Sequence, residues 1–442
     1  MALSGLDIYK LLPKTNCRQC GYSTCLAFAM ALAKKQVALE KCPFIKPEVK
    51  DALEQASLPP MRTVTIGTGD DKVEVGNETV LFRHEEKFHN PTAIGFIIDD
   101  NISDSEFGNK VKIINNLSFE RVGQLIKVNL IALRQTGKAD NFVQKAKKIS
   151  QLSNLGLVLM ANDVQALKGA LENCAKQKPL IYKATEENIK EFAALAKAYG
   201  VSLAISAGEL EKIEELAQKA NQEGLSDIVL DTGNKSITKK IEDLTFARRL
   251  ALKKKRRSIG YPVITVVEDA DPYQEAIEAG TYIAKYASIV LIKTVEAWQT
   301  LALLTLRQNI YTDPQKPLQV EPKVYNIGQV NEQSPVMVTT NFSLSYYTVL
   351  GEVEASKVPS YILSVDTEGM SVLTAWAAEK FTPEKITDSL AKSGLKEKIK
   401  HNKLIIPGYV SVMSGDLEDK SGWQIIVGPK EASGLPSFLK KM

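Results

Sequence analysis

Eight short apolar runs in regular alternation with amphipathic segments constrain this chain more than any other feature. They read AIGFII (93–98), VNLIAL (128–133), LGLVLM (155–160), PLIYKA (179–184), VSLAIS (201–206), DIVLDT (227–232), PVITVV (262–267) and SIVLIK (288–293). Each has the length of a strand. Between them, stretches such as ADNFVQKAKKISQL, TEENIKEFAALAKAYG and PYQEAIEAGTYIAKYA repeat their apolar positions at helical spacing. Eight continuous apolar strands alternating with helices predict a (β/α)8 TIM barrel over 93–310. Ahead of it, within 58–92, MRTVTIGTG and DDKVEVGN read as a hairpin that could close the barrel floor.

A chain of 442 residues exceeds one ordinary core, so further domains must flank the barrel. After a Pro-rich linker at 311–324, residues 325–442 begin a second α/β pattern with strands PVMVTT, SYILSV, KLIIPG and WQIIVG. Each strand is followed by small or polar residues: Thr339 to Asn341, Asp366 to Ser371, Gly408 to Ser411 and Gly428 to Gly434. In an open, Rossmann-like sheet these loops would share the edge where ligands sit. Gly369 and Met370 are expected to open the helix SVLTAWAAEK with free backbone N–H groups, and Gly434 to permit close backbone approach. One such loop alone would read as ordinary turn residues; four on one edge favour a ligand site.

The N-terminal block, 1–57, carries four of the five cysteines as Cys17-x2-Cys20-x4-Cys25-x16-Cys42, with Pro43 following the last. Thiolates at this density suit either an iron-sulfur cluster or a structural zinc, or they remain metal-free. Zinc sites usually use two paired C-x2-4-C hairpins, whereas three clustered cysteines and a distant one before proline follow the iron-sulfur habit. So small a block could hardly fold without its metal. The sequence ALEQASLPP predicts a short helix ending in a Pro-Pro tether. Cys174, in DVQALKGALENCAKQ, reads as a packed apolar residue.

Composition excludes more than it identifies. With 44% hydrophobic and 24% charged residues, no apolar run of membrane-spanning length and a net charge of +4, neither a membrane nor a nucleic-acid partner is implied. The N-terminus lacks a secretory pattern, so a cytoplasmic location without disulfides is expected. A basic run, Arg248, Arg249, Lys253 to Lys255, Arg256 and Arg257, reads as the solvated last turn of a helix or as a dock for an acidic protein. Asp99, Asp100, Asn162, Asp163, Asp231 and Glu268 fall in the loops after the barrel strands, as helix caps or as substrate contacts. No HExxH, GxSxG or P-loop pattern names a reaction.

Taken together, the C-x2-C-x4-C-x16-C run, the barrel and the terminal α/β block resemble, over the whole chain, the large (gamma) subunit family of the corrinoid/iron-sulfur protein of the reductive acetyl-CoA (Wood-Ljungdahl) pathway. The segment NCRQCGYSTCLAFA carries the resemblance most specifically. It implies a [4Fe-4S] cluster on Cys17, Cys20, Cys25 and Cys42. It also implies a corrinoid on the C-terminal domain, with Thr340, Tyr346, Gly369, Met370, Ser371, Val372, Leu373 and Gly434 as the matching contacts.

The implied role is a methyl carrier. It would form a heterodimer with a small barrel subunit, take methyl from methyltetrahydrofolate through a methyltransferase and deliver it to acetyl-CoA synthase/CO dehydrogenase. The cluster would return Co(II) to Co(I). The D-x-H-x-x-G motif is absent, and the three histidines are His84, His89 and His401, the last ahead of KLIIPG at the edge opposite the loops. The resemblance therefore implies a base-off corrinoid without a His ligand, whose reduction to nucleophilic Co(I) is eased. Two rival readings are a barrel methyltransferase that itself binds a pterin and a scaffold with a zinc-stabilised N-terminal interaction module.

Overall fold

The computed structural model describes residues 5–33, 36–45 and 59–442. The chain divides into two compact units, one comprising 1–119 and 126–311, the other 120–125 and 312–442.

At the N-terminus, α1 (Gly5–Leu11) and α2 (Cys25–Ala33) pack around Ile8, Leu12, Cys25, Phe28 and Ala29. The helix expected in ALEQASL lies outside the described residues. An antiparallel hairpin follows, β1 (Thr63–Ile66) with β2 (Val73–Gly76).

The barrel then runs β3 (Ala93–Asp99), α3 (Asp104–Asn115), β4 (Ser118–Arg121), β5 (Gln124–Lys127), β6 (Leu130–Arg134), α4 (Ala139–Leu152), β7 (Gly156–Met160) and α5 (Val164–Cys174). It continues β8 (Leu180–Ala184), α6 (Ile189–Tyr199), β9 (Ser202–Ser206), α7 (Leu210–Gln222), β10 (Ile228–Asp231), α8 (Ile237–Leu252), β11 (Val263–Val267), α9 (Pro272–Ala284), β12 (Ile289–Ile292) and α10 (Ala297–Tyr311). Strands β3, β6, β7, β8, β9, β10, β11 and β12 pair in parallel and close on themselves. The eight expected strands are the eight observed.

Both faces of each barrel strand are buried, which is why the runs read as continuously apolar. Alternate residues serve different cores. Ile94, Phe96 and Ile98 pack outward on the helices, whereas Ala93 and Ile97 fill the barrel interior. The interior is tight enough that a Cβ on Gly95 would come within 2.6 Å of the Leu130 side chain. Val64, Ile66, Val73 and Val75 of the hairpin join that same interior cluster, and Gly67 N donates to Lys178 O below β8, so the hairpin does close the floor.

One element between α3 and β6 had no counterpart in the sequence reading. Strands β4 and β5 form a small hairpin whose turn holds Val122 and Gly123 at φ +52° and +68°. Two consecutive left-handed residues make the tight turn that suits hairpin twist, but valine seldom adopts it.

The second unit contains β13 (Val324–Ile327), β14 (Val336–Thr340), α11 (Ser343–Ser356), β15 (Ser360–Val365), α12 (Val372–Ala377), α13 (Pro383–Lys392), β16 (Lys403–Ile406), α14 (Ser414–Ser421), β17 (Gln424–Val427) and α15 (Leu435–Leu439). Its sheet order is β13-β15-β14-β16-β17. The four expected strands, β14 to β17, are parallel, and β13 adds an antiparallel edge. Part of the Pro-rich stretch read as a linker is built into this unit: Val320 N donates to Asn341 O, and Ser343 N to Leu318 O. No helix among the described residues is long and apolar enough to cross a membrane.

The basic run departs from expectation at its first member. Arg248 is buried rather than solvated. Its guanidinium donates to Glu78 Oε2 at 2.9 Å and to Val80 O, and it lies against the rings of Phe88 and Tyr286. Glu78, itself 4% exposed, also accepts from the backbone N–H groups of His89 and Asn90. The arginine therefore ties the 78–90 segment to α8. Replacing Arg248 by Met leaves that carboxylate buried without its cation and is expected to cost about 3–5 kcal/mol of stability. A denaturant melt of the variant with an unchanged midpoint would show that the pair contributes nothing.

Candidate functional site

Two arrangements in the structure bear on cofactor chemistry. The first is the cysteine block. Left-handed residues at Lys14, Asn16, Arg18 and Gly21 wrap 14–21 into a tight loop carrying Cys17 and Cys20, and Cys25 opens α2. Asn16 and Cys25 hold each other reciprocally: Cys25 N donates to Asn16 Oδ1 at 2.8 Å, and Asn16 N points at Cys25 Sγ at 3.4 Å. Cys20, Cys25 and Cys42 all pack on one small apolar cluster with Ile8, Leu12 and Phe28.

Among the described residues, no three His, Cys, Asp or Glu side chains converge on a single-ion site. Four thiolates on one zinc, with bonds of about 2.3 Å, must crowd to about 4 Å from one another. A cubane takes one thiolate per iron and leaves the sulfurs farther apart. A donor set of thiolates alone is one that either an iron-sulfur cluster or a structural zinc accepts. Cys174 stands apart in the barrel unit, buried in α5 with its thiol on Ala170 O, and burial pushes its pKa up to about 12. It is the packed residue expected.

The second arrangement lies at the C-terminal edge of the parallel strands of the second unit. Strands β15 and β16 flank β14 on opposite sides, so the chain reverses its winding between β14 and β16, where open sheets leave a crevice. A cavity of about 350 Å³ occurs there. Met337, Val349, Ile405 and Leu435 give it an apolar wall, and Thr339, Ser345, Thr348, Ser371 and Lys430 supply polar groups. Gly408 makes the edge possible, since a Cβ there would meet Gly428 O at 2.5 Å and Lys430 N at 2.8 Å. Thr340 Oγ1 and Ser364 Oγ, at the ends of β14 and β15, are buried hydroxyls with no hydrogen-bond partner among the described residues.

The sequence-derived contacts fall unevenly around this cavity. Ser371 and Val372 line it, Thr340 ends the strand beneath it, and Leu373 is exposed on the next position of α12. Tyr346 is buried on α11 against Tyr325 and Tyr347 and is not among the lining residues. The expectation that Gly369 and Met370 offer free N–H groups is corrected. Gly369 N donates to Asn341 Oδ1 at 3.0 Å and Met370 N to Thr367 O, so both amides are spent inside the loop, and the helix itself begins at Val372. Gly434 is pressed against Pro429, where a Cβ would come within 2.8 Å of its ring; the close approach is to the chain itself.

Asn341 is the residue that holds this edge together. Its Oδ1 accepts from Thr367 N and Gly369 N, and its Nδ2 donates to Gln319 Oε1 and Asp366 Oδ1, at 1% exposure. Asn341→Ala strands two buried donors, each worth about 1–3 kcal/mol. The second unit is expected to lose stability in a urea melt by about that sum, and an unshifted melt would remove Asn341 from this role. Sequence reading placed Asn341 in the right loop without giving it a role.

Of the barrel-loop residues, Asp163 caps α5 by accepting from Gln165 N, and Asp100 accepts from Thr136 and Gly137 amides. Asp163 is a helix cap, and Asp100 pins the loop ahead of α4. Asn162 is exposed. Asp99 and Glu268 both pair with Arg134, and Asp231 is buried among cations.

Comparison with known proteins matches the cysteine block and the rest of the chain separately. A family model described as "CO dehydrogenase/acetyl-CoA synthase delta subunit" matches residues 63–439, and one described as "Putative Fe-S cluster" matches residues 12–44, the span holding all four clustered cysteines. The corrinoid/iron-sulfur protein large subunit of Moorella thermoacetica is 47% identical, covering 100% of this chain and 99% of its own. The acetyl-CoA decarbonylase/synthase complex subunit gamma of Methanothermobacter thermautotrophicus is 38% identical over 100% of this chain and 99% of its own. Among solved structures, dihydropteroate synthase from Thermus thermophilus aligns with a TM-score of 0.40 at 13% identity, covering 57% of this chain and 100% of its own.

Proposed function

Because this chain belongs to the family of corrinoid/iron-sulfur protein large subunits and acetyl-CoA decarbonylase/synthase gamma subunits, we propose that it is the methyl-carrier subunit whose C-terminal crevice holds a corrinoid and whose N-terminal cysteines hold a [4Fe-4S] cluster. The observation that carries this reading is full-length similarity joined to a crevice at the sheet's winding reversal.

When bound, the corrinoid would supply a nucleophilic cobalt for taking and giving up methyl, and the cluster a low-potential electron for reactivation. The protein's own share is holding and access. The apolar wall of Met337, Val349, Ile405 and Leu435 suits a planar heterocycle, the hydroxyls of Thr339, Ser345 and Thr348 suit sugar and amide groups, and Lys430 suits a phosphodiester. At about 350 Å³ the crevice has room for the nucleotide arm of such a cofactor.

No histidine lines the crevice, and His401 sits at the far end of β16, where its Nε2 meets Ser334 O. In this reading the corrinoid is bound without a histidine ligand. Cys17, Cys20, Cys25 and Cys42 would hold the cluster, with the Asn16 N–H on Cys25 Sγ tuning it. In this reading the partners are the small subunit, a methyltetrahydrofolate methyltransferase and acetyl-CoA synthase/CO dehydrogenase, and the chain works in the cytoplasm. Incubating the purified heterodimer with cobalamin and with methyltetrahydrofolate separates carrier from enzyme. The carrier takes up the corrinoid and does not turn over the folate without a methyltransferase; folate turnover by the chain alone would refute it.

A further inference from the structure

The C-terminal mouth of the barrel contains a second cavity, of about 250 Å³, that the carrier role does not use. Its wall includes Met160, Tyr182, Lys183, Asp231, Lys240 and Glu268, with Asn234 and Val266 beside them. This is the end of a (β/α)8 barrel at which ligands bind.

The charges around it do not balance. Glu268 gives both carboxylate oxygens to Arg134, and Asp99, which accepts from the same arginine at 2.6 Å, has a second cation in Lys293 Nζ at 3.6 Å, so these two carboxylates are matched by two cations. Lys235, nearby on the same loop, pairs with Asp243. That leaves Asp231, 2% exposed, facing two ammonium groups: Lys183 Nζ at 2.8 Å and Lys240 Nζ at 3.8 Å. Lys240 also donates to the Gly233 carbonyl, which carries no charge. Tyr182 OH and Gly233 N complete the hydrogen bonding of the Asp231 carboxylate. One positive charge therefore exceeds what this carboxylate neutralises beside the cavity. Lys240 is only 3% exposed, and burial, with Lys183 adding repulsion, holds its pKa below the usual range. A fold keeps an unmatched buried cation at a cost unless something negative joins it.

We propose that the barrel mouth binds a small oxyanion-bearing molecule, a carboxylate or phosphate, through Lys183 and Lys240, with Asp231 fixing the two lysines and Tyr182 in place. The apolar wall of Met160 and Val266 receives the rest of the ligand, and the cavity limits it to a small metabolite. The inference is independent of the corrinoid assignment, because no residue is shared with the C-terminal crevice.

Calorimetric titration of the full chain with inorganic phosphate and, separately, with acetate tests it. Saturable binding of at least one anion is expected, and which one binds tells phosphate ligands from carboxylates. Lys183→Gln should weaken that binding at least about tenfold, while Lys183→Arg, which keeps the charge, should retain it. Asn234→Asp adds a negative charge to the wall from an exposed loop position and should weaken binding equally with the fold intact. Absence of saturable binding by both anions, or binding that ignores Lys183→Gln and Asn234→Asp, overturns the proposal.

Discussion

Cys25→Ser is expected to remove nearly all iron from the protein and to unfold the N-terminal block while leaving the barrel and the C-terminal unit intact. The reason is the size of the local core. Among the described residues its buried cluster is Ile8, Leu12, Cys25, Phe28 and Ala29, too small to offset the chain entropy of the block without metal ligation. Metal affinity and folding are then one equilibrium. Cys17→Ser, Cys20→Ser and Cys42→Ser should act alike, and limited proteolysis should cut each variant ahead of the barrel.

Cys174→Ala is the contrasting case. That thiol, with its pKa raised to about 12, stays protonated at neutral pH and donates to Ala170 O, so its loss should leave iron content unchanged. Iron retained in full by Cys25→Ser, or lost from Cys174→Ala, would break the ligand assignment.

The second large effect belongs to the crevice. Ser345 sits half-buried on α11 facing the cavity, and Ser345→Trp would fill space that the cofactor's nucleotide arm needs. Forcing a ligand into an overpacked site costs about 1–3 kcal/mol. Corrinoid affinity should fall by about 10- to 100-fold. The variant's melt should stay close to that of the parent, because the added ring occupies empty volume. Cobalt content equal to the parent's at matched corrinoid concentration would place the cofactor elsewhere.

The barrel was legible because burial on both faces leaves a plain mark: β3 to β12 include eight runs with hardly a polar residue, in strict alternation with helices. Strands β4 and β5 left no such mark, since Phe119 and Ile126 are their main inward residues and the turn uses an atypical Val122. The clustering of Cys17, Cys20, Cys25 and Cys42 was plain in the spacing, and a family model described as "Putative Fe-S cluster" spans all four, but their reading as ligands came from the family resemblance. The crevice was only half legible. Its loops follow predictable strand ends, so Thr340, Ser371 and Val372 were reachable. Lys430 likewise lay in a loop already read, whereas Ser345 and Thr348 on α11 and Pro407 after β16 join these residues only through the β14–β16 reversal. Gly369 and Met370 were misjudged for a physical reason: a glycine ahead of a helix resembles an anion cradle, but here the Gly369 amide is taken by the Asn341 side chain and the Met370 amide by Thr367 O. Arg248 was misread because a charge run hides the one member that turns inward to meet Glu78.

The measurement that bears most directly on the carrier reading is metal analysis of the protein purified without oxygen together with its small partner subunit, with the visible spectrum recorded alongside. About four irons and one cobalt per heterodimer, with the spectrum of a base-off corrinoid, are the expected result. Zinc without cobalt would contradict the account and leave a barrel scaffold in its place.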